Sequence, residues 1–280
     1  GAIIPWNMPV LIMGWKTGPP LLAGNTLVLK PASATPLTTI RLARILEEAG
    51  LPPGVLNVVT GSGGEVGEAL VKHPEIRKIS FTGNSTTGRR IRDLASAHLK
   101  DLTLELGGSD PMINMDDADV DRAVLGVLRG RFYNAGQTCT AVKRLYIHER
   151  IAGEFIQKLT ACVSALTVGN GLGPKTDIGP LNSAEQRDIV ARKVELTRDR
   201  AEGKILTGGG VLHGKAYESG FFYHPTLVTD VSPKSCLVSD ELFGPVLPLM
   251  TFNNLDAAIT LANNSRYSLG ASVWTKNLHT

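Results

Sequence analysis

Thr26-Leu27-Val28-Leu29 is a short apolar strand, followed over 36–49 by Leu37, Ile40, Ile45 and Leu46 at helical spacing and then by Gly50 and Pro52 as stops. That is one strand-then-helix unit, and it repeats. Leu56-Asn57-Val58-Val59 leads through Gly61-Ser62-Gly63-Gly64 into a helix over 66–71. Lys78-Ile79-Ser80-Phe81 leads through Thr82-Gly83-Asn84-Ser85 into a helix over 87–97, and Leu102-Thr103-Leu104-Glu105 is a fourth strand. Repeated units with short loops predict an α/β fold, a doubly wound parallel sheet covered on both faces, with ligands at the carboxyl ends of its strands.

After Gly108 the pattern changes. Helices are predicted over 116–131, 151–166, 185–200 and 255–263, and strands over 143–148 and 246–252. Gly208-Gly209-Gly210 and Ser232-Pro233 mark loops, and the chain stops just after another apparent strand. This reads as a second α/β domain, so the division expected is 1–107 and 108–280. The chain also begins with Gly1 rather than Met, and the expectation is a piece of something longer.

Two short motifs carry chemistry: Leu104-Glu105-Leu106-Gly107-Gly108 and Gly136-Gln137-Thr138-Cys139. A thiol at Cys139 is a nucleophile and Glu105 a separate general base. Pro5-Trp6-Asn7 adds a side-chain amide, at Asn7, able to donate a hydrogen bond to an oxyanion. Nucleophile, base and oxyanion donor together describe covalent acyl transfer, at a site drawing on both domains. Cys162, on the apolar stripe of a predicted helix, and Cys236, in a loop before a strand, read as structural.

Composition sets limits on the alternatives. Charged residues make up 20% and hydrophobic ones 42%, as in an ordinary globular protein, and the net charge of +3 is dispersed, which argues against nucleic acid. No apolar run reaches the ~18 residues of a membrane span, and even the apolar opening is broken by Trp15-Lys16-Thr17-Gly18-Pro19-Pro20. Three separated cysteines form neither a disulfide framework nor a metal ladder, the six histidines lack metal-ligand spacing, and a reducing cytoplasm is the expected setting. The glycines at 61, 63, 64 and 67 miss the dinucleotide fingerprint G-x-G-x-x-G by one place, since the last comes late.

With Leu29-Lys30-Pro31-Ala32, Phe81-Thr82-Gly83 and Glu241-Leu242-Phe243-Gly244-Pro245 added to the three motifs above, the chain resembles the aldehyde dehydrogenase superfamily, which implies a Rossmann-like cofactor domain followed by a catalytic domain. The nearest likeness is to the succinic-semialdehyde, lactaldehyde and glyceraldehyde type of branch. The resemblance implies Cys139 as nucleophile, Glu105 as base, Asn7 as oxyanion donor, and Lys16, in Gly14-Trp15-Lys16, near the active-site water path. It further implies a cofactor set of Trp6, Lys30, Ser33, Gly63, Gly67, Thr82, Gly83, Asn84, Glu241 and Phe243. Of these, Lys30 and Ser33 would face the adenosine ribose, Gly63, Gly67 and Asn84 the adenosine and pyrophosphate side, and Glu241 and Phe243 the nicotinamide riboside.

The implied activity is oxidation of an aldehyde to a carboxylic acid with NAD or NADP, through a cysteine thiohemiacetal and thioester. A CoA-acylating relative and a non-catalytic scaffold are the competing readings. Ser33 stands where many NAD-preferring members carry a glutamate; its lack of charge removes repulsion of a 2′-phosphate, so NADP or dual use is expected. Asn84 stands where a serine is common. Tyr133 replaces the arginine of the succinic-semialdehyde branch, so a carboxylate partner is either missing or supplied by Arg131 or Lys143. A small polar aldehyde or semialdehyde is expected, and a homodimer or homotetramer of a longer protein whose two ends lie outside this chain.

Overall fold

The computed structural model describes residues 1–277 and His279. The chain divides into two compact units, Gly1–Gly107 and Gly108–Thr280.

The first unit runs β1 (Ala2–Ile3), α1 (Pro9–Leu22), β2 (Leu27–Lys30), α2 (Leu37–Glu48), β3 (Leu56–Val58), α3 (Glu68–Lys72), β4 (Lys78–Thr82), α4 (Ser85–Ser96) and β5 (Asp101–Glu105). Its strands are all parallel, in the order β3-β2-β1-β4-β5. The chain winds outward from β1 to β3 and then returns to the other side of β1 for β4 and β5. That reversal makes the β1/β4 boundary the topological switch point, where the loops leaving the strands part and leave a crevice.

Strand alternation sorts the core onto two faces. Ala2, Ile4, Leu27, Leu29 and Leu56 pack with Ile12 and Met13 of α1 and Ala43 of α2. Ile79 and Phe81 pack with Leu70 and Val71 of α3 and Ile91 and Ala95 of α4, joined by Ile3, Val28, Leu102 and Leu104. The doubly wound sheet expected from the sequence is therefore present, with α1 and α2 on one face and α3 and α4 on the other.

Two local features differ from the sequence reading. The stretch that looked broken at Pro19-Pro20 is the end of α1: both prolines lie in its last turn, where only the carbonyls one turn earlier lose a partner, and Pro9 occupies the first turn. The helix expected over 66–71 begins earlier, as a π-helical turn over Gly63–Gly67 that passes into α3. The amides of Val66 and Gly67 both donate to the Ser62 carbonyl, at 3.1 and 3.2 Å. A π turn carries one residue more than an α turn, which accounts for a glycine one place late.

The second unit contains β6 (Asp110–Asn114), α5 (Val120–Phe132), β7 (Val142–His148), α6 (Glu149–Ser164), α7 (Ala184–Asp199), β8 (Lys204–Thr207), β9 (Thr226–Thr229), α8 (Cys236–Ser239), β10 (Val246–Phe252), α9 (Leu255–Asn263) and β11 (Ser272–Trp274). Its sheet has the order β11-β6-β7-β10-β9-β8, parallel except for the β8–β9 pair. β7 is central and buried along nearly its whole length, as a parallel strand covered on both sides must be.

β6, β8 and β9 were not foreseen. Pro111 argues against a central strand in sequence, and the ladder indeed shifts register between Asp110 and Pro111. The helix expected from residue 116 starts instead at Val120, capped by Asp119 Oδ1 on the Arg122 amide at 3.1 Å. Asp117, before it, accepts from the Lys276 and Asn277 amides. Cys236 opens the short α8 rather than lying in a loop, and Cys162 packs against the main core of this unit. Among the described residues no helix is long and apolar enough to cross a membrane, and no group of three or more His, Cys, Asp or Glu is arranged to hold a metal ion.

Leu145 is wholly buried in the centre of β7. Leu145→Ala should lower stability by about 2–5 kcal/mol, read as a lower urea midpoint at unchanged slope.

Candidate active site

In the first unit the expected cofactor residues all follow the carboxyl ends of strands. Trp6 and Asn7 follow β1, Ser33 follows Lys30 at the end of β2, Gly63 and Gly67 follow β3, Gly83 and Asn84 follow Thr82 at the end of β4, and Glu105 ends β5. Trp6 and Asn7 are half-buried, and with Gly83 they flank the switch point.

Each of these turns has a local cause. Ser62 caps the π turn by accepting from the Glu65 amide at 3.2 Å. Gly61 lies at φ +144°, and a Cβ there would collide with the Val66 side chain. Asn84 Oδ1 accepts from the Thr87 amide at 2.7 Å, so asparagine does here the capping that a serine does as well. Ser33 is exposed, and its hydroxyl donates to the Gly61 carbonyl at 3.0 Å, tying the β2 exit to the β3 exit. Lys30 is buried at 3% exposure; its Nζ donates to the Pro31 carbonyl and its stem lies 3.7 Å from where a Cβ on Gly67 would stand. Burial pushes the Lys30 ammonium below the usual lysine range. The Thr82 hydroxyl is buried without a hydrogen-bond partner among the described residues, an orphan at the switch point.

Register places a second group on the α1 face. Ser80 pairs with Thr103, and Thr82 with Glu105, so Ser80 and Glu105 point to the same side of the sheet. Lys16 of α1 reaches this side and donates to Ser80 Oγ at 2.7 Å. Burial lowers the Lys16 ammonium to about 8, and the negative charge of Glu105 partly opposes that shift. Glu105 itself is exposed, so it is not a buried ion-pair partner.

In the second unit Cys139 follows a turn of three consecutive left-handed residues, Asn134 (φ +51°), Ala135 (φ +54°) and Gly136 (φ +73°). Two of the three are not glycine, which is a costly backbone. Gly136 has no substitute here, because a Cβ would strike the carbonyl of Gly244. Gln137 helps hold the turn: its Nε2 donates to the Asn134 carbonyl at 3.1 Å and its Oε1 accepts from the Asn182 amide at 2.8 Å.

The Cys139 thiol is half-buried. Burial raises its pKa, and the positive charge of Lys143 and the amides of Thr140 and Cys139 oppose the rise. Lys143 is wholly buried in β7. Its Nζ donates to the carbonyls of Thr138 at 3.0 Å and Cys139 at 2.5 Å, stands 3.5 Å from Glu241 Oε1, and lies 5.8 Å from the centre of the Phe243 ring. Glu241 Oε1 also accepts from the Gly108 amide at 3.1 Å. The loop around it is pinned by Lys193 on the Glu241 carbonyl (3.2 Å), Gln186 on the Phe243 carbonyl (2.6 Å) and the Tyr267 hydroxyl, which accepts from the Glu241 amide (3.2 Å).

A profile of the Aldehyde dehydrogenase family matches residues 1–280. The chain belongs to the aldehyde dehydrogenase family. It is 43% identical over 280 residues to retinaldehyde dehydrogenase 3 of Mus musculus, covering 99% of this chain and 54% of that protein. The crystal structure of PnpE in complex with nicotinamide adenine dinucleotide superposes with a TM-score of 0.97 at 40% identity, over 99% of this chain and 57% of PnpE. That of an E. coli NADP dependent enzyme gives 0.94 at 40% identity, over 99% and 57%. The chain thus spans about half the length of the aldehyde dehydrogenase relatives it matches.

One expectation is overturned. Arg131 and Lys143 were the candidates for binding a substrate carboxylate, but both are wholly buried. Arg131 donates to the carbonyls of Val142, Leu242 and Gly244, and Lys143 is spent as described above. Neither cation is exposed to a substrate, and the Arg131 Nη groups and Lys143 Nζ are bonded inside the unit. The sequence reading also missed the partners of Glu241, although a signal existed: Lys143-Arg144 is a doubly charged step at the start of a buried strand, and each charge there demands partners.

Because burial raises the Cys139 thiol, its alkylation by iodoacetamide should show a pH midpoint above the ~8.5 of an ordinary cysteine. Gly136→Ala should unfold the protein more readily by about 1–3 kcal/mol and change that alkylation rate, since both φ and the Gly244 carbonyl oppose a side chain.

Proposed function

We propose that the full-length protein oxidises an aldehyde to a carboxylic acid with NAD(P), through a covalent intermediate on Cys139. The observation that carries this reading is the Cys139 turn, a strained left-handed backbone fastened to the Glu241–Gly244 loop, within a chain of this family. Strain of this kind persists only where the surroundings enforce it, and it gathers at working sites.

The Cys139 thiolate attacks the aldehyde carbon, and the alkoxide of the resulting thiohemiacetal accepts hydrogen bonds from the Asn7 side-chain amide and the Cys139 backbone N–H. The nicotinamide, when bound, supplies the acceptor for the hydride that leaves this carbon. The thioester so formed is hydrolysed by a water that Glu105 deprotonates, which returns the thiol and releases the acid. Lys16, a buried amine facing Glu105, helps manage the proton that Glu105 takes up.

The residues of the first unit suit a dinucleotide: an orphaned Thr82 hydroxyl, turns at Gly63, Gly67, Gly83 and Asn84, and an exposed Ser33, all at the carboxyl ends of parallel strands. Trp6 completes this set. Lys30 and Ser33 take the adenosine ribose, and the uncharged Ser33 admits NADP as well as NAD. Glu241 and Phe243 take the nicotinamide riboside. With Arg131 and Lys143 wholly buried, we favour a small polar aldehyde or semialdehyde whose polar end is met elsewhere. The working form proposed is a homodimer or homotetramer in the cytoplasm, the compartment being suggested by three free, separated cysteines.

Reduction of NAD and NADP by the full-length protein over a panel of aldehydes tests the reading. Cys139→Ser should abolish it, Glu105→Gln should lower turnover by roughly 10²–10⁴, and added CoA should leave the product a free acid. Retained turnover in folded Cys139→Ser would overturn the thiol mechanism. Ser33→Glu should lower the NADP-to-NAD ratio of kcat/KM at least ~tenfold through like-charge repulsion of the 2′-phosphate.

A further inference from the structure

Lys143 is a charged side chain that touches both the turn bearing the thiol and the loop bearing Glu241. A wholly buried ammonium is costly unless each of its three donors is met. Here two are met by the carbonyls of Thr138 and Cys139, and the third faces Glu241 Oε1. The Phe243 ring lies within cation–π range. Every partner belongs to a segment assigned above to chemistry or cofactor, and none is a bystander.

We propose that Lys143 is a positioning residue for the Cys139 thiol, fastening the turn that carries the sulfur to the Glu241 loop and supplying the positive charge beside it. This rests on the reading of Cys139 as the nucleophile. Glu241 Oε1 faces Lys143 and also accepts from the Gly108 amide, so one carboxylate oxygen joins the lysine to the start of the unit.

The electrostatics agree with the geometry. The charged and titratable groups facing Lys143 are Glu241, Arg131, Asp110 and Cys139. Burial brings its ammonium down to about 8, Glu241 and Asp110 oppose that fall, and Arg131 adds to it. Among the ionisable groups acting on the thiol, Lys143 favours the thiolate and Glu241 disfavours it. Glu241 thus acts twice, keeping Lys143 charged while repelling a thiolate directly. The two titrations are coupled, so the thiol midpoint belongs to the cluster.

A residue that only staples the turn would affect stability and leave the thiol's acidity alone. The test is the pH profile of Cys139 alkylation by iodoacetamide in the full-length protein, with peptide masses separating Cys139 from Cys162 and Cys236. Lys143→Gln keeps a donor for the carbonyls and removes the charge. It should raise the midpoint by about one pH unit and slow alkylation at neutral pH by roughly tenfold, while Lys143→Arg should restore most of the wild-type profile. A folded Lys143→Gln with the wild-type midpoint overturns the proposal. If Lys143→Gln does not fold, Lys143→Arg decides: a midpoint close to wild type supports a role for charge, and one raised by about a unit despite the retained charge overturns it. Aldehyde-dependent NAD(P) reduction by the wild type is scored separately. Its absence would sink the dehydrogenase reading, whereas the alkylation profiles alone decide the role of Lys143.

Discussion

Buried cations that donate to backbone carbonyls brace the second unit, two of them at the thiol turn and the Glu241 loop. Arg131, Lys143 and Arg144 are each at most 1% exposed. Arg131 gathers the carbonyls of Val142, Leu242 and Gly244, Lys143 those of Thr138 and Cys139, and Arg144 those of Ser109, Leu261 and Ala262. Carbonyls in turns lack ladder partners, and a buried unpaired one costs about 1–3 kcal/mol. The cations therefore do for these loops what strand neighbours do for a sheet. Because Arg131 projects from the end of α5 and Lys143 from the start of β7, the thiol turn and the Glu241 loop are fastened to the core.

The two units solve a similar electrostatic problem in similar ways. Each buries one lysine near one glutamate, Lys16 near Glu105 and Lys143 near Glu241. In both, desolvation is the larger effect and the carboxylate the smaller, and the amine settles at about 8. An amine so placed stays largely protonated at neutral pH yet gives up its proton more readily than a surface lysine. The partners differ, and so does what the amine does. Lys16 meets a side-chain hydroxyl on β4, a contact that a small rotation can release. Lys143 meets two backbone carbonyls, which cannot rotate away.

The doubly wound first sheet was legible because local signals dictate it: three short apolar or alternating strands, at β2, β3 and β4, are each followed by a helix. Where local signals fail, the sequence misled. β1 is only two residues long and is defined by neighbours at Leu29 and Ser80, far away in sequence. α1 was hidden by prolines that cost little in a last turn, and β6 by a proline at a register shift. Cys139, Glu105 and Asn7 stood out through motif and residue type. The web around Glu241 did not, because backbone carbonyls leave no mark in a sequence. Only the unusual Lys143-Arg144 step inside a buried strand betrayed it.

The choice of carbonyls over carboxylates has an electrostatic consequence for the thiol. A cation neutralised by a carboxylate loses most of its field, whereas one solvated by carbonyl dipoles keeps its full charge. Two acidic groups, Glu241 and Asp110, act on Lys143 within a layer that also holds the Arg131 and Arg144 cations, and Glu241 sits partly exposed at 18%. The cationic layer under the Cys139 turn is thus under-compensated. That positive field partly offsets the burial that raises the thiol, so Cys139 is shielded from water at a smaller rise in pKa than burial alone would impose. Had Arg131 and Arg144 been paired with acids, the same packing would have been available at the expense of that field.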